Sequence, residues 1–278
     1  MEKAHAKAAA EGINVKAIVV INPNNPTGSV LPLEHMRGII RFCYKHRIVI
    51  IADEVYQHNV YFGNKFISFR KAVHTIEEPY NKVSVISMNS ISKGFTGECG
   101  IRGGYMDFYN IDPEVMMQIY KIRDACSVNV AGSIAMGVLC DPPTTENASK
   151  ETAELYAKEK EAILSLIEEK AKMIMDAFRE CKNIVCKPIM GSMYAFPRVL
   201  LPESVIKEAK RHNQNPCEYF CKKMLEETGI VTVPGCGFGL ESDTYYFRVS
   251  LLIWDLKEFA KVLEIMKNFI NKYFEIHK

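Results

Sequence analysis

Two short runs of branched aliphatic residues constrain the fold most, because each of them ends abruptly at a polar loop. Residues 15–21 (VKAIVVI) stop at Asn22, and residues 47–52 (RIVIIA) stop at Asp53. Between them, apolar residues recur at positions 36, 39, 40 and 43, which is the spacing of one helix face. A strand, a helix and a strand in this order form a βαβ unit with parallel strands, and both faces of such a sheet are expected to be covered.

The next predicted elements extend this βαβ unit, and the C-terminal part of the chain has shorter strands and helices. Residues 83–87 and 102–108 are predicted to form two more strands, and apolar residues at helical spacing predict a long helix over 149–179. Short elements follow it: strands 192–196, 229–233 and 245–251, and helices 202–212, 216–228 and 255–274. The predicted fold class is therefore α/β, with a mostly parallel sheet and helices on both faces, plus a C-terminal α+β domain. The predicted boundaries are 1–150, a connecting helix at 151–180, and 181–278.

Composition argues against several function classes. The 278 residues carry 35 Lys and Arg against 33 Asp and Glu, a net charge of +2, which gives no overall field for nucleic acid or an anionic membrane. No apolar stretch approaches the roughly 20 residues of a membrane span. The nine cysteines are scattered without a CxxC pair, which predicts free thiols in a reducing compartment, a cytoplasmic location and no metal site.

Polar residues follow three of the predicted strands, and ligands of open parallel sheets collect at such strand ends. The first strand leads into residues 22–28 (NPNNPTG), the second into 53–56 (DEVY), and the third into 90–93 (SISK) and 94–102 (GFTGECGIR). An amine, a carboxylate, a phenol, an amide, hydroxyls and a guanidinium are thereby expected at one edge of the sheet. Together they offer a carbonyl-reactive amine, an acid and phosphate-binding groups, which are the parts that one cofactor requires.

Each of these residues also has an ordinary structural explanation when it is taken alone. Asn25 is of a type that dominates turns, and Asp53 can cap a helix. Lys93 by itself would be a surface lysine, and Arg102 can pair with Asp107 or Glu98. The functional interpretation therefore rests on their joint arrangement.

The order and wording of these motifs resemble fold-type I pyridoxal-phosphate aminotransferases. Within that family, residues 92–105 (SKGFTGECGIRGGY) resemble alanine aminotransferases. The resemblance covers almost the entire chain and includes four later segments: 191–198 (GSMYAFPR), 225–230 (LEETGI), 233–239 (VPGCGFG) and 247–250 (FRVS). It implies that residues 1–150 are part of the family's large, cofactor-binding domain and that residues 181–278 are its small domain.

The resemblance also implies the chemical roles. Pyridoxal 5′-phosphate is the implied cofactor, and Lys93 is the catalytic residue that binds its aldehyde as an aldimine and then moves the substrate proton. Asp53 faces the pyridine nitrogen and keeps it protonated. Tyr56 and Asn25 hydrogen-bond the phenolate oxygen of the cofactor.

Two further contacts are implied in the same way. Ser90, Ser92 and Arg102 hold the phosphate, where a guanidinium fork matches the oxyanion. Arg248 binds the substrate α-carboxylate from a strand whose alternation places it opposite Phe247. Without the family context, the ordinary explanation for Arg248 would be an edge-strand arginine that deters aggregation.

The resemblance breaks at the N-terminus, where only 21 residues precede the NPNNPTG loop. Family members carry an earlier segment with a dimer-contacting arm, further sheet strands, a phosphate-binding loop and an aromatic ring on the pyridine, and Trp254 does not match that ring. We therefore expect a truncated chain that holds the C-terminal half to two thirds of an aminotransferase. Its third strand is expected to be an unpaired edge, and its cofactor binding and catalysis to be weak.

The implied reaction is transamination of L-alanine and 2-oxoglutarate to pyruvate and L-glutamate by a ping-pong route. The expected partners are small amino acids and 2-oxo acids, in a homodimer as in the family. Another pair such as glutamate with glyoxylate, and a non-catalytic structural module, stay open as alternatives. A nicotinamide-dependent dehydrogenase fits less well, because no GxGxxG motif follows the first strand.

Overall fold

The computed structural model describes residues 1–240, 243–253 and 255–277. They form two compact units. The first unit comprises Met1–Pro23 and Val30–Lys160, and the second comprises Asn24–Ser29 and the described chain from Glu161 onward. The assignment of functional domains to 1–150 and 181–278 stays a prediction, and Trp254 lies outside the described residues.

A four-stranded sheet organises the first unit. Its strands are β1 (Ala17–Ile21), β2 (Val49–Asp53), β3 (Val85–Ser90) and β4 (Gly104–Tyr109), in the order β1-β2-β3-β4. β1, β2 and β3 run parallel to one another, and β4 runs antiparallel to β3. The predicted α/β fold class with a mostly parallel sheet is therefore confirmed.

The expectation that the third strand would be an unpaired edge is wrong. Register pairs from Val85–Tyr109 to Ser90–Gly104 join β3 to β4 along its whole length. The chain can return in this way because the backbone N–H of Ile91 donates to the carbonyl of Gly103 (3.2 Å) and closes the connecting loop. Among the described strands, β1 and β4 form the edges of this sheet.

One face of the sheet carries the core of the first unit. Ile50, Ala52 and Val85 are fully buried there and pack with Met36 and Ile40 of the helix that follows β1. That helix confirms the apolar spacing noted in the sequence. The helices of this unit are α1 (Glu2–Ala10), α2 (Leu33–His46), α3 (Phe69–His74), α4 (Pro113–Asp124) and α5 (Val130–Cys140), with a 3₁₀ turn at Tyr80–Lys82.

A 30-residue helix, α6 (Lys150–Arg179), confirms the predicted long helix. The second unit then pairs short strands in two small sheets, with the orders β5-β7 and β6-β9-β8. Its strands are β5 (Ile184–Val185), β6 (Tyr194–Ala195), β7 (Arg198–Val199), β8 (Val233–Pro234) and β9 (Phe247–Ser250). Its later helices are α7 (Glu203–Arg211), α8 (Pro216–Thr228) and α9 (Leu256–Ile276), with a 3₁₀ turn at Gly235–Phe238.

The strand predicted over 229–233 is wrong for all but its last residue. Gly229 adopts a left-handed conformation (φ 73°) and ends α8, so the chain leaves the helix before it reaches a pairing partner at Val233. None of the helices described here is long and apolar enough to span a membrane.

Candidate active site

Two strand ends of the first unit bring predicted site residues together. β2 ends at Asp53 and β3 at Ser90, and in the parallel register Asp53 lies opposite Met88. The backbone N–H of Glu54 donates to the carbonyl of Met88 (3.0 Å), and that of Asn22 donates to the carbonyl of Asp53 (3.0 Å). Because alternate residues of a strand share a face, Asp53 lies on the same face of the sheet as Ser90.

A hydrogen-bonded turn gathers the three residues predicted to hold a phosphate. The Ser90 hydroxyl donates to the carbonyl of Gly103 (3.1 Å) and accepts from the backbone N–H of Ser92 (3.0 Å). Arg102, which precedes Gly103, adopts a left-handed conformation (φ 61°), and its Nη1 donates to the carbonyl of Cys99 (2.9 Å). The Arg102 side chain is exposed at this turn.

The alternative in which Arg102 pairs with Asp107 is not realised. Asp107 instead accepts two hydrogen bonds from Nη1 of Arg70, at 2.7 and 2.6 Å. The carboxylate of Asp107 is therefore engaged by Arg70.

Lys93 is half-buried, and its backbone is fixed by neighbouring side chains. The Thr96 hydroxyl donates to the carbonyl of Lys93 (3.1 Å) and to that of Ile91 (2.8 Å). Nδ2 of Asn59 donates to the carbonyl of Gly94, the next residue along the chain (3.2 Å). Gly94 has φ 67°, a conformation that glycine adopts without strain. The lysine therefore starts from a fixed point of the backbone rather than from a loose surface loop.

Glu54, inside the DEVY motif, is a buried acid that sequence analysis gave no role. Its Oε1 accepts a hydrogen bond from the backbone N–H of Phe69 (2.7 Å). Burial raises the pKa of Glu54 to about 7, an effect that the hydrogen bond from Phe69 partly opposes. The only signal in the sequence was its place beside Asp53. Tyr56, which ends the same motif, is also buried.

In the second unit, Arg248 is held by three neighbours. Its Nη1 donates to Oδ1 of Asn25 (2.9 Å), and its guanidinium carbon lies 4.3 Å from the ring centre of Tyr194 and 5.3 Å from that of Phe238. β9 lies between β6 and β8, so Arg248 is not on an edge strand, and Phe247 is buried on the opposite face as predicted. The two aromatic residues fall in the segments 191–198 and 233–239, which the sequence analysis quoted without a role.

The loop that carries Asn25 is anchored through Gly28. The carbonyl of Gly28 accepts hydrogen bonds from the backbone N–H groups of Met190 and Gly191 (2.8 Å each). Gly28 has φ 68°, and a Cβ atom there would lie 3.1 Å from the carbonyl oxygen of Gly191. The close approach and the left-handed backbone together explain the glycine that ends the NPNNPTG motif.

The donor set fits pyridoxal 5′-phosphate. The first unit holds an amine for the aldehyde (Lys93), a carboxylate for the ring nitrogen (Asp53) and a turn with two serines and an arginine for the phosphate. The second unit holds the Asn25 amide and the Arg248 guanidinium in contact. Within the ranges described, no group of three or more His, Cys, Asp and Glu side chains could hold a metal ion.

The fold is that of an α/β protein, with Asp53 and Ser90 at neighbouring strand ends of a mostly parallel sheet. The family model for aminotransferase class I and II matches residues 1–263. The chain belongs to this family, and membership implies pyridoxal 5′-phosphate as the cofactor.

Curated relatives point to two activities. Glutamate–glyoxylate aminotransferase 1 of Arabidopsis thaliana is 38% identical over 271 residues, which cover 96% of this chain and 56% of the relative. The probable mitochondrial alanine aminotransferase of Dictyostelium discoideum is 37% identical over 279 residues, which cover 98% of this chain and 52% of the relative. The chain therefore spans about half the length of the curated relatives it matches.

Solved structures support the fold. Tyrosine aminotransferase from Leishmania infantum matches with a TM-score of 0.74 at 21% identity, covering 96% of this chain and 59% of that one. Alanine aminotransferase from Pyrococcus furiosus matches with a TM-score of 0.69 at 24% identity, covering 92% of this chain and 58% of that one. At these identities the similarity establishes the fold.

Proposed function

We propose that the chain acts in pyridoxal-phosphate-dependent transamination, with Lys93 as the amine that holds the cofactor. The observation that carries this proposal is the fixed backbone of Lys93, one turn after the strand end that lies beside Asp53. Membership in the aminotransferase class I and II family supports the same assignment.

The residues have separate tasks in this proposal. When bound, pyridoxal 5′-phosphate supplies an electron sink for the carbanion that forms at the substrate Cα. Lys93 would take the proton from that Cα and deliver it to the C4′ carbon of the cofactor, because a free amine is a suitable general base. Asp53 holds the ring nitrogen through its negative charge, and Tyr56 and Asn25 donate hydrogen bonds to the phenolate oxygen. The turn with Ser90, Ser92 and Arg102 binds the phosphate.

Arg248 orients the amino-acid substrate in this proposal by binding its α-carboxylate. A guanidinium presents five N–H donors, of which the contact to Asn25 uses one, and a pair of parallel donors matches a carboxylate. The rings of Tyr194 and Phe238 limit where the guanidinium can lie. This arrangement favours one direction of approach for the carboxylate.

L-alanine with 2-oxoglutarate is the proposed substrate pair, and glutamate with glyoxylate is the second candidate. Relatives named for the second pair are 38% and 40% identical to this chain, and those named for alanine are equally similar at 37% to 41%. A homodimer and a cytoplasmic location are also proposals. Three of the relatives named for alanine carry the word mitochondrial in their names.

Half-reactions test the substrate proposal without a second substrate. The chain is loaded with pyridoxal 5′-phosphate, and the absorbance change is followed after addition of L-alanine, L-glutamate or D-alanine. We expect L-alanine and L-glutamate to change the absorbance of the bound cofactor, and D-alanine to leave it unchanged. The chain that has reacted with the amino acid is then mixed with 2-oxoglutarate or glyoxylate. If glyoxylate restores the original absorbance faster than 2-oxoglutarate, the result favours the second candidate. Equal responses to all three amino acids, or none, would contradict the proposed function.

A further inference from the structure

A buried asparagine connects the two loops of the first unit that carry Tyr56 and Lys93. Asn59 is 0% exposed. Its backbone N–H donates to the carbonyl of Tyr56 (2.8 Å), and its Nδ2 donates to the carbonyl of Gly94 (3.2 Å). One residue thus joins the turn after Asp53 to the peptide that follows Lys93.

An aromatic contact and a left-handed glycine lie beside this connection. The ring of His58 lies edge-on to that of Phe95, with the ring centres 5.2 Å apart. A Cβ atom on Gly94 would lie 3.5 Å from Nδ1 of His58, and the left-handed backbone of Gly94 already favours glycine. Burial lowers the pKa of His58 to about 4, with the charge of Lys160 acting in the same direction, so the ring is neutral at neutral pH.

Only the nitrogen of the Asn59 side-chain amide has a hydrogen-bond partner among the described residues. Its Oδ1 is buried and makes no hydrogen bond to the residues that the structure describes. A buried amide oxygen without a partner is unfavourable, and an apolar side chain of similar size would avoid that cost. The bond from Nδ2 to Gly94 is the contact that an apolar side chain would lose.

We propose that Asn59 is a positioning residue for Lys93. Thr96 holds the carbonyl of Lys93 itself, and Asn59 holds the next carbonyl, so both peptides that follow the lysine Cα are fixed. The amine then moves only through the rotations of its own side chain. This inference rests on the proposed function of Lys93 and extends it to a residue that need not touch cofactor or substrate.

Covalent trapping in the full chain tests the proposal without measuring turnover. Pyridoxal 5′-phosphate is the probe: its aldehyde condenses with a lysine amine and releases water, and borohydride reduces the resulting C=N bond to a stable secondary amine. Peptide mapping gives the ratio of modification at Lys93 to modification at Lys65, an exposed lysine of the same unit. We expect this ratio to fall about fivefold to tenfold in Asn59→Leu, which keeps a similar volume but loses the amide donor, and in Asn59→Ala.

Asn22 provides a matched control. It is also 0% exposed, its Oδ1 accepts from the backbone N–H of Leu31 (2.9 Å), and its Nδ2 makes no hydrogen bond within the described ranges. Asn22→Ala should lower the urea midpoint and keep the wild-type ratio. Asn59→Leu carries the test if Asn59→Ala does not fold.

The outcomes separate the two claims. A wild-type chain that shows no preference for Lys93 over Lys65 overturns the proposed function and this inference with it. A preference that persists unchanged in folded Asn59 variants overturns the inference alone. An equal loss in Asn22→Ala also overturns it, because any buried asparagine would then have the same effect.

Discussion

The two units hold their key cations in opposite ways. In the second unit, the guanidinium of Arg248 is itself fixed, by a hydrogen bond to Asn25 and by the rings of Tyr194 and Phe238. In the first unit, hydrogen bonds from Asn59 and Thr96 fix the backbone around Lys93. A group that binds a carboxylate binds it better when its donors are held in a fixed geometry. An amine that transfers a proton must instead move between the donor and the acceptor atom. The difference matches the two proposed tasks.

Lys93→Ala removes the moving cation and should have the largest effect. We expect the variant to lose the visible absorbance that depends on covalent attachment of pyridoxal 5′-phosphate, and to react with L-alanine about 10²- to 10⁴-fold more slowly. Absorbance spectra and half-reaction rates measure both effects. Lys65→Ala, on the surface of the same unit, should match the wild type. An unchanged spectrum in Lys93→Ala would contradict the proposal that Lys93 binds the cofactor covalently.

Glu54→Gln tests the buried acid beside Asp53. Burial raises the pKa of Glu54 from a usual 4.5 to about 7, so the folded chain binds this proton more tightly than the unfolded chain. Stability should therefore fall as the pH rises from about 4.5 to about 7, by up to about 3 kcal/mol. The neutral variant removes that loss, so its advantage over the wild type should appear near pH 8 and vanish near pH 4.

Urea unfolding at pH 4, 6 and 8 measures this effect. Glu34→Gln replaces an exposed glutamate of the same unit and serves as the control. If the wild type and Glu54→Gln show the same pH slope, the buried carboxyl does not titrate as described.

Arg248→Lys keeps the charge of the fixed cation and removes its planar fork. We expect KM for L-alanine and L-glutamate to rise about 10- to 100-fold with a smaller change in kcat, because the loss falls on substrate binding. Arg198→Lys, on the exposed side of β7, is the control. Equal effects of the two substitutions would mean that the geometry around Arg248 has no special role.

Phe238→Leu should give the smallest effect. The side chain stays apolar, but the cation–π contact to Arg248 is lost, which is worth about 0.5–1 kcal/mol. KM for both amino acids should rise about twofold to fivefold. A wild-type KM would show that the remaining contacts of Arg248, to Asn25 and Tyr194, fix the guanidinium without Phe238.

Local patterns in the sequence predicted much of the fold. The aliphatic runs at 15–21 and 47–52 predicted β1 and β2, and helical periodicity predicted α2 and the long helix α6. The error at β3 arose because the pairing with β4 is a non-local event that depends on the loop closed by Ile91 and Gly103. The strand predicted at 229–233 was wrong although the end of α8 was predicted correctly, because register pairing with β9 begins only at Val233.

The sequence predicted the residue types of the candidate site, but not the contacts that hold those residues in place. Sequence motifs predicted Asp53, Lys93 and Arg248, because the chemistry of a side chain follows directly from the residue type. The contact of Asn59 with Gly94 spans 35 residues, and that of Arg248 with Asn25 spans 223 residues. Such contacts depend on the folded chain, and no spacing rule contains them.

A crystal structure of the chain with pyridoxal 5′-phosphate tests the central claim most directly. We predict continuous density from Nζ of Lys93 to the aldehyde carbon of the cofactor, with the carboxylate of Asp53 at the pyridine nitrogen and Arg102 at the phosphate. A cofactor bound elsewhere, with the Lys93 amine directed into solvent away from Asp53, would contradict the account.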